Sequence, residues 1–139
     1  RDFTQIHLKG QEITPLEYNR LHQEAIRFLT LALEDKTAST PEPGTEEATK
    51  LPRKMVISHH LPSFLNYPKK HQNDPINAGF ATNLDDFIQK MAPNAWIFGH
   101  HHANISPFWI GKTRLYTNQL GYIKFKEGAG FNREATIEL

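Results

Sequence analysis

Apolar and polar positions divide the chain into a helical segment, an unpatterned stretch, and a second half of short strands around one further helix. In ITPLEYNRLHQEAIRFLTLALED, Leu21, Ala25, Phe28, Leu29 and Ala32 recur at the three- and four-residue spacing of one helical face. Thr14 stands at the capping position, Pro15 suits the first helical position, and Glu17 completes a Thr-x-x-Glu capping box, so the helix is predicted to start there. His22, beside Gln23 and Glu24, reads as a solvated helix-face residue. KTASTPEPGTEEATKLP, residues 36–52, mixes small, polar, proline and acidic residues without a period. It is expected to be a flexible insertion with no chemistry of its own.

Met55, Val56 and Ile57 form a short apolar run, the pattern of a strand covered on both faces. The proline- and asparagine-rich stretch from Leu61 to Phe80 reads as a long loop, a class usually functional or disordered. TNLDDFIQKMAP predicts a second helix, capped by Thr82 or Asn83, burying Leu84, Phe87, Ile88 and Met91 and ended by Pro93. Ala95–Phe98 predicts another buried strand. SPFWIGKTRLYTN predicts a hairpin turning at Gly111-Lys112, and EATIEL alternates as a half-buried last strand. The order strand, loop, helix, strand implies a crossover between parallel strands. Such strands end on one edge of the sheet, where open α/β sheets bind ligands. His59 follows the first strand and His100 the second, so two separate histidine clusters are predicted to meet there.

Composition narrows the function classes. A chain of 139 residues suits one domain, residues 1–139, and a formal net charge of +1 offers no basic excess for a row of phosphates. With no cysteine, disulfides, thiolate zinc sites and cysteine nucleophiles are excluded. No apolar run has the roughly 18–20 residues of a membrane span and no signal pattern opens the chain, so the expectation is a cytoplasmic protein with no membrane partner.

Neutral imidazole is the commonest metal ligand. In Gly99-His100-His101-His102, an extended backbone would place the rings of His100 and His102 on one side and that of His101 on the other. Glycine before the run would permit a sharp exit from the strand. Three histidines alone fit a solvated loop as well as a metal site, but the second cluster after a parallel strand favours metal. His60 could stand beside the ligands, face a substrate or be simply exposed. His71, between lysines and polar residues, fits a solvated loop or an anion contact.

VISHHLPS, followed about forty residues later by WIFGHHHANIS, resembles the C-terminal half of the calcineurin-like metallophosphoesterases, where a histidine after one strand precedes Gly-His-x-His after another. DPINAGFATNLDDFIQKMAPNAWIFGHHH, WIGKTRLYTNQLGY and GFNREATIEL extend the similarity to a bacterial branch of that family. The resemblance implies the C-terminal part of an α/β/β/α sandwich. It also implies a site where two ions of Mn, Zn or Fe and a bridging hydroxide hydrolyse phosphate mono- or diesters. His59 and His100 would bind one metal and His102 the other, with His101 in the variable position. Asn77 and Asn118 lie in family-like segments, and no catalytic residue is assigned. The family's Asp-x-His, Gly-Asp-x-x-Asp and Gly-Asn-His motifs do not occur in this chain. The expectation is therefore that the chain lacks the N-terminal half of its domain, is inactive alone, binds at most one ion weakly, and self-associates through an exposed sheet edge. The alternative is a non-catalytic histidine metal-binding or assembly module.

Overall fold

The structure, a computed structural model, describes residues 5–34, 52–67 and 77–138. The expected insertion at residues 36–52, Pro52 apart, and His71 lie outside the described residues. The chain divides into two compact units, Arg1–Pro41 and Glu42–Leu139.

The first unit opens with two-residue strands β1 (His7–Leu8) and β2 (Gln11–Glu12), paired antiparallel. Their turn is Lys9-Gly10, both at positive φ (52° and 84°), the backbone that matches the twist of a tight hairpin. Ile13 N–H then donates to Ile6 O (2.9 Å), and helix α1 runs Pro15–Glu34. The capping box is formed in full. Glu17 N–H donates to Thr14 Oγ1 (3.2 Å), while Thr14 N–H (3.0 Å) and Oγ1 (2.9 Å) donate to Glu17 Oε2. Backbone and side-chain hydrogen bonds from Thr14, in that order, lower the Glu17 pKa below its ordinary 4.5. An Arg20–Glu24 pair one turn on links the exposed side of the helix. The apolar stripe forms but is not covered: α1 buries no described residue, and Phe28 is 68% exposed. His22 is half-buried.

The second unit is α/β. Strands β3 (Met55–Ile57), β4 (Ala95–Ile97), β5 (Phe108–Ile110) and β6 (Thr113–Tyr116) form a mixed sheet in the order β3-β4-β6-β5, and helix α2 (Asp85–Met91) connects β3 to β4. β3, β4 and β6 are parallel and β5 is antiparallel to β6. In the β5–β6 turn Gly111 takes the positive φ (57°) and Lys112 does not, the Gly-x form expected.

The register separates the two faces. Val56, Trp96, Leu115 and Phe108 are paired across the sheet and face inward. Trp96 and Leu115 are almost wholly buried there, with Ile88 of α2 and the Phe87 ring edge-on to Trp96. The outer face carries Met55, Ile57, Arg114 and Trp109, with Ile57 73% and Trp109 60% exposed. Arg114 lies over the rings of both Trp109 and Tyr116.

Four expectations need correcting. β3 is covered on one face, because an apolar run is equally the mark of a strand whose second face stays open. EATIEL forms no strand: residues 133–138 are turn and irregular chain, since alternation without a neighbouring strand to pair with supplies no ladder. The α2 cap is Leu84, without a side-chain bond. The Asn83 side chain instead accepts from Asp85 N–H (3.1 Å) in a local turn that competes with capping. At the other end Ala92 takes the left-handed conformation (φ 45°) ahead of Pro93. Finally, Gly99 has no positive φ, and an added Cβ would meet neighbours at ordinary distances, so its sharp exit from β4 does not depend on glycine freedom.

Candidate metal centre

The β3–β4 ladder continues past the strands. Ser58 N–H donates to Ile97 O (2.9 Å) and Gly99 N–H to His59 O (3.1 Å), so the residues that follow the two parallel strands are held side by side. Ser58 Oγ accepts from Trp96 Nε1 (2.9 Å) and donates to His60 O (2.8 Å), tying the histidine turn to the buried indole. His59 and His100 meet as the crossover requires: His59 Nε2 lies 2.8 Å from His100 Nδ1. His60 joins them, its ring 5.1 Å from that of His59 and 4.6 Å from that of His100. One nitrogen from each of the three lies within 4.8 Å of the others, close enough to hold one metal ion. Phe80 packs on His100 at 4.4 Å, brought there by a bridge between Leu61 and Ala81 whose bonds run from Leu61 N–H to Phe80 O and from Thr82 N–H to Leu61 O.

Three imidazoles and no carboxylate, among the described residues, make a donor set for one ion that favours nitrogen, with coordination positions left open. At 2.8 Å, His59 and His100 form a hydrogen bond in which one ring donates and the other accepts. An ion takes one nitrogen lone pair from each ring, so a ring that coordinates through its hydrogen-bonded nitrogen gives up this bond.

The run after Gly99 is not extended. His100 has φ 74° and His102 φ 50°, and His101 N–H donates to Gly99 O (3.0 Å), closing a γ-turn around His100. The alternation that would place His100 and His102 together presupposes β geometry, and two left-handed residues abolish it. His102 lies outside the group of three. Its Nδ1 is 2.9 Å from Glu127 Oε2, and its ring meets Tyr122 edge-on at 4.6 Å. Gly121 (φ 62°) makes this packing possible, because a Cβ there would sit 2.6 Å from Glu127 Cβ. His101 is 4% exposed, packed against Phe98 and Tyr67, with Nδ1 2.7 Å from Gln119 Nε2.

Asn77 and Asn118 also lie outside the group. Asn77 Oδ1 accepts from the Tyr67 hydroxyl (2.9 Å), and its carbonyl caps the turn that leads to Phe80. Asn118 and Asn132 are clasped by two reciprocal bonds (2.7 and 2.9 Å). A groove of about 690 Å³ runs beside Ile97, Arg114 and Tyr116 on the outer face and contains none of the described histidines.

Of the residues that sequence reasoning left unassigned, His60 had a signal, the tandem pair after a strand. Gln119 and Glu127 had none, because their partners are 18 and 25 residues away along the chain. Comparison with protein-family profiles, with curated proteins and with solved structures yields no match. Among the described residues, no helix is long and apolar enough to cross a membrane.

Proposed function

We propose that this chain carries the imidazole side of a metal-dependent phosphoesterase centre, within the C-terminal part of a metallophosphoesterase-type sandwich. The observation that carries the reading is the convergence of His59, His60 and His100 at the C-terminal edge of parallel strands, together with the spacing of the His-His and Gly-His-x-His motifs. His59, His60 and His100 hold one ion of Zn, Mn or Fe, and Phe80 packs against the His100 ring. Bound there, the ion would supply Lewis acidity and charge neutralisation toward a phosphoester. A second ion, held through His102, requires carboxylates from a further part of the domain, and its identity and the substrate class belong to that whole. β3 and β5 are the two edges of the sheet, and self-association would proceed through such an edge in this reading.

A second reading, a non-catalytic histidine metal-binding module, is favoured by the donor set itself, which is imidazole alone. Hydrolysis of p-nitrophenyl phosphate and its bis-ester with Mn²⁺ or Zn²⁺ separates the two. The 139-residue chain is expected to bind metal and remain inert. The reading frame from which it comes, expressed whole, is expected to turn over one of the esters. Inertness of that protein across all metals would remove the enzymatic reading and leave the binding module.

A further inference from the structure

We infer that Gln119 is the positioning residue of the histidine edge, holding His100 in a strained turn so that its ring meets His59. The inference rests on the metal-binding reading for its consequence, but its geometry stands without any ion.

β6 is the third parallel strand, so the chain that leaves it at Thr117 reaches the same edge as the histidines. Gln119 is fixed there by its own backbone: its N–H donates to Asn104 Oδ1 (2.6 Å), and its carbonyl accepts from Asn104 Nδ2 (2.8 Å). Its carboxamide then engages both residues that follow His100. Oε1 accepts from His102 N–H (2.9 Å), which identifies that atom as the oxygen. Nε2 faces His101 Nδ1 (2.7 Å), Ala103 O (3.0 Å) and Thr117 Oγ1 (2.7 Å). Ala103 N–H also points at His101 Nδ1 (3.3 Å), so that nitrogen is an acceptor and the ring proton sits on Nε2. Gln119 thus joins Ala103 N–H in setting the tautomer of His101, and it also holds the backbone of His102.

His100 lies between these anchored residues and Gly99. A non-glycine residue at φ 74° closing a γ-turn occupies a sparsely populated conformation that persists only when its surroundings impose it. The hydrogen bonds of Gln119 to His101 and His102 are those surroundings. Once they are removed, the turn relaxes toward extended chain and carries the His100 ring away from His59 and His60.

The test compares the wild-type chain with Gln119→Met, which keeps length and volume but removes both polar atoms, and with Gln119→Glu, which keeps the acceptor for His102 N–H and removes the donors. Three measurements are made: Co²⁺ titration by calorimetry, the visible spectrum of the Co²⁺ complex, and NMR of the metal-free protein. The NMR reads the His101 tautomer from ring ¹⁵N shifts and the His59–His100 contact from the Overhauser effect. Gln119→Met is expected to weaken Co²⁺ binding about 10- to 100-fold, to change the spectrum, and to lose both NMR signatures. Gln119→Glu is expected to fall between Gln119→Met and wild type, and it carries the comparison if Gln119→Met does not fold. Unchanged affinity, spectrum and inter-ring contact in a folded variant would overturn the inference while leaving the metal site intact. A wild-type chain that binds no Co²⁺ but loses the inter-ring contact on substitution would remove the metal reading and support the positioning role.

Discussion

Helix α1 and the histidine edge are built by opposite means. The start of α1 is specified by residues within one turn: Thr14 and Glu17 satisfy each other's backbone groups, and Pro15 occupies a position where its missing N–H costs nothing. The histidine edge draws on residues that are far apart. His59 and His100 are separated by 41 positions, and the side chains that shape the run around them, Gln119 and Glu127, come from still later in the chain. Local structure therefore needs no core behind it, and α1 forms with its stripe exposed. The edge, by contrast, exists only while the parallel sheet does.

The sharpest way to break this comparison is at the edge. His100→Ala removes a residue that takes part in two of the three ring contacts of the group, leaving His59 and His60 with no third nitrogen. Calorimetric Zn²⁺ binding is expected to weaken by more than about 100-fold. His102→Ala, whose ring is directed to Glu127, is expected to leave the affinity of this one-ion site within about threefold. Equal losses from the two substitutions would mean that the run chelates as a loose tract and that the group of three has no special standing.

The middle effect tests how much of the edge depends on tertiary packing. Gly121 has φ 62°, and a Cβ there collides with Glu127 Cβ and crowds His102 Cβ. Gly121→Ala is expected to cost about 1–3 kcal/mol in denaturant unfolding, because strain and overpacking act together. It should also release His102 from Glu127, visible as a shift of the His102 ring resonances. A neutral outcome would show that this part of the edge adapts and is not held in place.

What the sequence disclosed follows the same division. Apolar runs bounded by polar residues located β3, β4 and the hairpin, and the order of elements implied that β3 and β4 are parallel neighbours. The meeting of His59 and His100 followed from that topology alone. The placement of His102 could not follow, since it depends on positive φ at two histidines, a conformation uncommon for any non-glycine residue and here held by distant hydrogen bonds. EATIEL failed for a related reason: alternation shows that a segment could be half-buried, while pairing needs a partner with free ladder positions. The Lys9-Gly10 hairpin in the first unit lay in two-residue strands, too short for alternation to register.

The smallest effect belongs to α1, where a local device can be titrated by itself. The carboxylate of Glu17 is favoured by hydrogen bonds from Thr14 and, less strongly, by Arg20 and Lys9, and its folded pKa therefore lies below 4.5. A depressed folded pKa means that the cap contributes fully above 4.5 and loses its contribution as the pH falls through the lower, folded value. Glu17 lies at the protein surface, so salt and water screen the contribution and it remains modest. Helix content read by circular dichroism should be higher in wild type than in Glu17→Gln near neutral pH, and the gap should close as the pH falls below 4.5 and through the lower, folded value. A gap that persisted at low pH would show that the hydrogen bonds survive protonation and that charge has little part in the cap. The same scan leaves the sheet as an internal reference, since none of the bonds that hold β3 to β4 involves a carboxylate.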